Sequence, residues 1–336
     1  MLFAFYFYIY YKQIDKIITL TYNLFEREVL MKTCVVIYNP NSGNTIKRKN
    51  IRLYKSIIER HGYSVVFIGT EYHGHAKEIV SHIGYVDLVI SMGGDGTFNE
   101  IVHGNLSRKK RLVLAHIPIG TTNDLGHMFG YGKDIEKNLE LCLNGEIREM
   151  DIPLINKRPF VYVAGFGKFL NIPYDTPRHL KKKYGHAAYL FFGLKDFFKP
   201  TKNYNVEYEV NGVKYKGLYS FMLISSATRI AGFNGFYKDV KLDDDTFEVL
   251  FCTYTRRIDI ARAMAMLIAT DAEHVNGFES YRTNHLKIKF EKNPKKAWCV
   301  DGEKLEIRTK AYDIYNEKGV QILMPKTNLK KLFVEK

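Results

Sequence analysis

The chain has 336 residues and a formal net charge of +14, with 46% apolar and 26% charged residues. This composition is typical of a folded globular protein, and the length is sufficient for two domains with separate cores. The four cysteines lie far apart, which excludes metal-finger and C-x-x-C sites and favours a reduced, cytosolic compartment. The positive charge fits nucleic acid, an anionic membrane or a polyanionic substrate, and charge alone does not choose among them.

The first 30 residues differ from the rest. Residues 1–11 are apolar and aromatic, but Lys12 ends this run well short of a membrane-spanning length. A positive leading region and a small-residue cleavage site are both missing, so the segment is a poor signal peptide. We expect Met31 to be the natural start and residues 1–30 to be an upstream extension. An aromatic-rich anchor in the membrane interface is the alternative.

From Met31 onward, short apolar strands alternate with helical patterns. Strands are predicted at residues 35–38, 64–68, 86–92 and 112–117, and helices at 46–58, 76–83 and 135–143. Such alternation predicts an α/β domain over residues 31–150, with a parallel, doubly wound sheet and helices on both faces.

Three polar or glycine-rich turns follow strands in this domain, beginning at Asn39, Gly93 and Gly120. Ligands of such sheets bind outside the carboxyl ends of the strands, so we expect the three turns to line one crevice. The turn Gly93-Gly94-Asp95-Gly96-Thr97 leads into a helix that we predict to open at residues 98–102. A strand, a glycine turn and a helix N-terminus form an anion site, and the absence of G-x-x-x-x-G-K-[ST] excludes a P-loop.

The start of this helix also has a simpler interpretation. Thr97-Phe98-Asn99-Glu100 fits a capping box, in which the side chains of the first and last residues cap the helix N-terminus. Phosphate binding and capping both stay open for these two residues.

After about residue 151 the pattern changes. Period-two alternation over residues 204–210 and 213–219 flanks Asn211-Gly212, which is a strong hairpin turn. Further strands are predicted at 218–225, 247–253, 285–290 and 297–300, and helices near 177–198 and 258–270. We predict a mostly antiparallel β domain over residues 151–320, with the chain end 321–336 as a candidate to return to the first domain.

Five sequence blocks together resemble one enzyme family. In chain order they are Asn39-Pro40-Asn41-Ser42-Gly43, Gly93-Gly94-Asp95-Gly96-Thr97-Phe98-Asn99-Glu100, Gly120-Thr121-Thr122-Asn123-Asp124, Lys241-Leu242-Asp243-Asp244-Asp245 and Val300-Asp301-Gly302-Glu303. Their order and spacing resemble the diacylglycerol kinase catalytic family, and most closely its bacterial soluble lipid kinases. NAD kinases and phosphofructokinases carry loops similar to the glycine turn alone, whereas five blocks in register are specific.

The resemblance implies a diacylglycerol kinase-like fold and ATP-dependent phosphorylation of a lipid hydroxyl, with diacylglycerol converted to phosphatidate. ATP would bind between the two domains, where backbone N–H groups and hydroxyls supply the donors that a triphosphate requires. The residues that the resemblance assigns to ATP are Asn39, Pro40, Asn41, Ser42, Gly43, Thr70, Gly93, Gly94, Asp95, Gly96, Thr97, Asn99, Thr121 and Asp124.

The family pattern implies that Asp301 and Glu303 lie beside the transferred phosphate, with one of them as general base. A carboxylate near ATP and Mg²⁺ can accept the proton of an attacking hydroxyl as the new bond forms. The alternative is an Asp-Gly hairpin turn with solvated acids. The sequence leaves open which of the two carboxylates carries the proton.

The resemblance also implies a structural Mg²⁺ site, formed by Asp244 with the backbone carbonyls of Lys241 and Thr246. An exposed acidic turn is the alternative. This chain has Asp245 where family members usually have glycine, and Asp tolerates positive φ better than most residues.

A second departure affects a network that joins Asp124 to Asp244 in relatives. The lysine that mediates this network there is replaced by Asn44 in this chain, so the link is in doubt. Lys47, Arg48 and Lys49 are candidate substitutes for that lysine. The alternative for Asp124 is a simple helix N-cap.

Basic and aromatic residues alternate over residues 178–199, which suits either a lipid-binding edge or a half-buried helix with solvated lysines. We therefore expect a cytoplasmic protein in peripheral contact with the anionic inner membrane face, with a lipid substrate and no nucleic acid partner. A homodimer is a candidate assembly. His73 and His75 lack a matching ligand spacing, so we interpret them as ordinary loop residues.

Two other functions stay open from sequence. One is an NAD kinase or another small-molecule kinase with the same glycine turn. The other is a non-catalytic protein that binds nucleotide or lipid, suggested by Asn44 and Asp245 at positions where relatives carry other residues.

Overall fold

A computed structural model describes residues 31–40, 48–168, 200–230, 233–234, 237, 239–269, 275–305 and 308–335. Predictions for residues 1–30, for Asn41, Ser42 and Gly43, and for residues 178–199 lie outside these ranges. No helix within the described ranges is both long and apolar enough to span a membrane.

The first half of the chain alternates strands and helices. Its elements are β1 (Lys32–Tyr38), α1 (Arg48–Arg60), β2 (Tyr63–Gly69), α2 (His75–His82), β3 (Leu88–Gly93), α3 (Asp95–Leu106), β4 (Leu114–Pro118), α4 (Asp124–Met128) and α5 (Ile135–Leu143). The four strands pair in parallel in the order β2-β1-β3-β4. The predicted parallel α/β fold of this half is confirmed.

The second half is mostly antiparallel, which confirms that part of the predicted fold class. Its elements are β5 (Glu146–Ile155), β6 (Arg158–Pro159), β7 (Val163–Gly167), β8 (Tyr204–Val210), β9 (Val213–Tyr219), β10 (Phe221–Ser225), β11 (Arg229–Ile230), β12 (Phe233–Asn234), β13 (Phe247–Cys252), α6 (Arg257–Ala269), β14 (Phe278–Thr283), β15 (His285–Phe290), β16 (Cys299–Val300), β17 (Glu303–Lys304), β18 (Ala311–Met324), a 3₁₀ turn (Lys326–Asn328) and α7 (Leu329–Leu332).

The strand β18 joins the two halves. It pairs in parallel with β4 and antiparallel with β5 and β15, so one sheet runs in the order β2-β1-β3-β4-β18-β15-β8-β9. A second sheet has the order β14-β13-β10-β7-β16-β17. The domain boundary that we predicted at residues 150 and 151 falls within β5, and the domain ranges stay a prediction.

An aromatic core lies next to the second sheet. The Trp298 ring lies 5.4 Å from the rings of both Phe166 and Tyr312, and all three side chains are fully buried. Since Trp298 directly precedes β16, this packing fixes the hairpin formed by β16 and β17. The hairpin is therefore anchored on buried aromatic side chains at its first strand.

Two predicted boundaries were wrong. The helix predicted to open at Phe98 begins at Asp95, because the extended residue Gly94 is its N-cap and the first turn includes the glycine motif. The strand predicted over 218–225 is two strands, since β9 ends at Tyr219 and β10 begins at Phe221.

We expect Gly104→Ala to destabilise the fold by about 1–3 kcal/mol, because overpacking at this position would separate two helices. A Cβ at Gly104 in α3 would lie 2.5 Å from the Lys77 carbonyl oxygen and 2.9 Å from the Val80 Cβ, both in α2. Urea denaturation measures the change. The matched control is Gly132→Ala, where a Cβ meets nothing within 4 Å, and its free energy of unfolding should stay within about 0.5 kcal/mol of wild type. Equal stability of both variants would contradict the packing interpretation.

Candidate active site

The glycine turns after β3 and β4 pack backbone against backbone. A Cβ at Gly120 would lie 2.6 Å from the Gly94 Cα, and a Cβ at Gly93 would lie 2.5 Å from the Thr97 Cβ. Neither position has room for a side chain. The two turns therefore present main chain, rather than side chains, at the carboxyl edge of the sheet.

The other predicted ATP residues lie on the same edge. Asn39 and Pro40 follow β1, Thr70 follows β2, and Thr121 follows β4 in an exposed turn. The Asn39 N–H donates to the Met92 carbonyl at 3.1 Å, which ties the first turn to β3. Because the strands are parallel, the structure brings these residues to one edge of the sheet, and their binding of ATP stays a prediction.

Glu100 does not form the capping box that its spacing suggests. Its carboxylate is buried and accepts hydrogen bonds from the N–H groups of Gly74, at 2.8 Å, and Ala76, at 3.2 Å. Glu100 thus caps the N-terminus of α2, a neighbouring helix, while α3 begins without a side-chain cap at Gly94. The capping-box interpretation was wrong, because tertiary contact supplied Glu100 with donors outside its own helix.

Asp301 joins the β16–β17 hairpin to the first half of the chain. Its Oδ2 accepts from the Asn99 side-chain amide and from the Val161 N–H, each at 2.6 Å. Its Oδ1 accepts from the N–H groups of Tyr162, at 3.1 Å, and Val163, at 3.0 Å. Burial raises the pKa of Asp301 to about 6, while these four donors lower it.

The hairpin turn itself has positive φ at Asp301, 47°, and at Gly302, 82°. The alternative interpretation of an Asp-Gly turn is therefore right about the backbone. It is wrong about solvation for Asp301, whose side chain is buried. An aspartate held in the left-handed region by four hydrogen bonds is typical of a position that the surrounding structure over-determines.

Glu303 reaches the glycine turn from the other side. A Cβ added to Gly96 would lie 3.3 Å from its Oε1, and its Oε2 lies 3.3 Å from the Arg158 guanidinium. The side chain is 29% exposed, so it is open to solvent where Asp301 is not. Arg158 is shared with His103, whose Nδ1 lies 2.7 Å away. Burial, followed by the charge of Arg158, lowers the pKa of His103 to about 4, so the imidazole accepts from the guanidinium.

His73 is not the ordinary loop residue that we predicted. Its Nδ1 lies 3.1 Å from the Glu100 Oε1 and 3.6 Å from the Glu303 Oε1, so it bridges the two halves. Its sequence spacing gave no indication of this, because the two carboxylates come from distant parts of the chain. Folding alone brings the three side chains together.

Asp95 and Asp124 meet beneath the glycine turn. The Asp124 N–H donates to the Asp95 Oδ2 at 3.0 Å. The N-cap of α4 is Asn123, with φ of 52°, so the N-cap alternative for Asp124 was wrong. The Asp95 Oδ1 and the His116 Nε2 are buried, 3.8 Å apart, and neither has a hydrogen-bond partner among the described residues. Burial, followed by the charge of Asp124, raises the pKa of Asp95 to about 7, and burial lowers that of His116 to about 3.

The predicted Mg²⁺ loop is a tight turn docked on the sheet. The Asp244 Oδ1 accepts from the Thr246 N–H at 3.0 Å and from its hydroxyl at 2.7 Å. Asp245 has φ of 60°, in the left-handed region that favours glycine, and its carboxylate lies 2.7 Å from the Lys318 ammonium. The Lys241 ammonium donates to the carbonyls that end α7. The metal assignment of Lys241, Asp244 and Thr246 stays a prediction.

Comparison with known proteins identifies the family. The model of the diacylglycerol kinase catalytic domain matches residues 33–155. A diacylglycerol kinase of Bacillus subtilis is 31% identical over 278 residues, which cover 81% of this chain and 90% of that protein. The chain belongs to the diacylglycerol kinase family. A diacylglycerol kinase of Staphylococcus aureus is 30% identical over 266 residues, covering 78% of this chain and 81% of that protein.

A solved structure supports the fold. The crystal structure of a diacylglycerol kinase from Bacillus anthracis superposes with a TM-score of 0.71 at 21% sequence identity, covering 90% of this chain and all of that one. The family match and the relative from Bacillus subtilis confirm the predicted resemblance and the predicted enzyme class, a lipid kinase. Membership of a kinase family implies the use of ATP.

Stability should depend on pH through Asp95. Its folded pKa of about 7 lies above the ordinary value of 3.8. The stability that protonated Asp95 contributes is therefore fully present below pH 3.8 and is lost as pH rises through about 7. Asp95→Asn removes this loss, and its amide can donate to His116. We expect the variant to match wild type near pH 4 and to be more stable by roughly 1–3 kcal/mol at pH 8.

Urea unfolding at several pH values measures this difference. The surface variant Asp239→Asn is the control and should follow the wild-type pH dependence. Parallel curves for Asp95→Asn and wild type would contradict the assignment of a raised pKa to Asp95.

Proposed function

We propose that this protein transfers the γ-phosphate of ATP to the hydroxyl of diacylglycerol, giving phosphatidate, with Mg²⁺ as a further cofactor. The observation that carries the proposal is the 2.6 Å hydrogen bond between Asn99 in α3 and Asp301 in the hairpin of the second sheet. This bond holds the hairpin, with the carboxylates of Asp301 and Glu303, against the glycine turn at residues 93–97, where we expect phosphate to bind. Phosphoryl transfer needs such positioning more than covalent chemistry from the protein.

The glycine turn supports ATP as the donor. Gly93 and Gly120 leave no room for Cβ atoms, so phosphate oxygens can approach the main chain closely. The N-terminus of α3, with no side-chain cap, points its N–H groups and the positive end of its dipole toward this position. Both features fit an anion held without a Walker lysine.

The two carboxylates of the hairpin are suited to different tasks. Each oxygen of Asp301 already accepts two hydrogen bonds, so a proton on either would have to displace a donor. Glu303 is partly exposed, its Oε1 faces Gly96, and the adjacent Arg158 can help to neutralise charge that develops on phosphate. We assign proton acceptance to Glu303 and the holding of the hairpin to Asp301.

The loop after β12 supports a structural Mg²⁺ site. A carboxylate from Asp244 and backbone carbonyls of Lys241 and Thr246 are the hard oxygen donors that this ion takes, with water in its remaining positions. Asp245 keeps the left-handed turn at φ of 60°, so the replacement of glycine does not by itself abolish the loop conformation. Bound Mg²⁺ would stabilise this turn.

The membrane assignment rests on charge. A net charge of +14 favours an anionic surface, where each nearby basic residue contributes about 1 kcal/mol. Diacylglycerol resides in membranes, so a cytoplasmic enzyme in peripheral contact with the inner membrane face fits the proposal, and a homodimer remains a candidate assembly.

The substrate proposal is tested with purified full-length protein, radiolabelled ATP, Mg²⁺ and separate dispersions of diacylglycerol, monoacylglycerol, ceramide and sphingosine. We expect labelled phosphatidate from diacylglycerol as the main product. NAD serves as a non-lipid acceptor. Faster labelling of another lipid or of NAD would contradict the proposed substrate, and ATP binding without any labelled product would favour a non-catalytic role.

The division of tasks is tested with Glu303→Gln and Asp301→Asn. The first should lower kcat by about 100-fold or more with little change in stability, because it removes the base from a partly exposed position. The second should lower the melting temperature, because an amide cannot accept from all four donors that Asp301 satisfies. The surface variant Glu207→Gln is the control. Normal kcat in Glu303→Gln would overturn its assignment as the base.

A further inference from the structure

Three side chains of types that can bind a metal ion converge where the two halves meet. They are His73 from the loop before α2, Glu100 from α3 and Glu303 from β17, and one donor atom of each lies within 4.8 Å of the other two. No pair of them is close in sequence, so the group exists only in the folded chain.

We propose that His73, Glu100 and Glu303 form a binding site for a divalent transition metal ion, with Zn²⁺ as the best fit. The His73 Nδ1 lies 3.1 Å from one carboxylate oxygen and 3.6 Å from the other. In four-coordinate zinc sites, metal–ligand bonds of about 2.0–2.2 Å place ligand atoms roughly 3.3–3.6 Å apart. The two separations from His73 therefore need only small adjustments around an ion, and the donor oxygens of the two glutamates lie within 4.8 Å of each other.

The donor types select the class of ion. One imidazole nitrogen with two carboxylates suits zinc and similar transition metals, whereas Mg²⁺ prefers oxygen donors alone. A single Nδ1 proton can be donated to only one of the two carboxylates at a time, while a cation attracts both. This separates the site from the predicted Mg²⁺ loop at residues 241–246, which offers only oxygen.

The carboxylates are already oriented for this role. Glu100 is buried and is held by the N–H groups of Gly74 and Ala76, so little side-chain entropy remains for an ion to remove. Glu303 is held through its other oxygen by Arg158, which leaves Oε1 facing His73. Outer contacts of this kind typically orient metal ligands and raise affinity.

A metal ion bound at this site would have two consequences. The ion would link β17 of the second sheet to the helices α2 and α3, and would stabilise their arrangement. It would also occupy the Oε1 of Glu303, so it would inhibit phosphoryl transfer; this second consequence rests on the function proposed above.

Binding is tested on the full-length protein with Co²⁺ as a spectroscopic probe for Zn²⁺. Wild type should bind one tightly held ion with the visible absorption of a four-coordinate site, and Zn²⁺ should displace it. His73→Ala should weaken binding at least about tenfold. The control is His82→Ala, which removes another exposed imidazole of the same region and should leave binding unchanged. Equal Co²⁺ affinity in wild type and His73→Ala would overturn the site. That result is expected if His73, Glu100 and Glu303 only share a proton.

The kinase consequence is tested separately by titrating Zn²⁺ into the lipid kinase assay at saturating Mg²⁺. Wild type and His82→Ala should be inhibited alike. Half-inhibition of His73→Ala, measured relative to that variant's own rate without Zn²⁺, should need at least about tenfold more Zn²⁺. Inhibition that is identical in His73→Ala would overturn the coupling. If no lipid is phosphorylated by wild type, the kinase proposal fails, and the Co²⁺ spectrum still decides the metal site.

Discussion

The carboxylate of Asp301 is the interaction on which the arrangement of the candidate active site depends. It accepts four hydrogen bonds, one from Asn99 in the first half and three from consecutive backbone N–H groups of the second half. A buried charge is tolerated only with such partners, and the removal of one leaves donors unsatisfied. The position of Glu303, two residues along the hairpin, follows from this anchor and from the aromatic packing of Trp298.

Much of the fold could be predicted because its signals are local. Alternating apolar strands and helices gave the parallel sheet, and Asn211-Gly212 gave a hairpin whose strands lie at the predicted residues, since positive φ at both positions requires such residue types. The start of α3 was misplaced because the glycine motif, a poor helix sequence, forms the first helical turn. Here the packing of the two glycine turns outweighs the low helix propensity of glycine.

The candidate site was predictable only where residues share a motif. The ends of parallel strands bring distant motifs to one edge, so the convergence of the glycine turns followed from the fold. The roles of Glu100 and His73 did not, because their partners lie across a tertiary contact. His116 was overlooked for a related reason. A histidine inside an apolar strand carries no indication that a buried carboxylate, Asp95, lies 3.8 Å from it.

The strand β18 has a consequence for how the enzyme can move. It pairs with β4 in the first half at Ile322 and Leu114, and with β15 in the antiparallel half over five residue pairs, so one sheet includes strands of both halves. Closure of a cleft by rotation about a flexible linker would break this pairing. Bending is cheapest at the register shift between Glu317 and Val320, where Gly319 has φ of 76°. Entry of a lipid is therefore expected to depend on local loop movement rather than on a hinge between two free bodies.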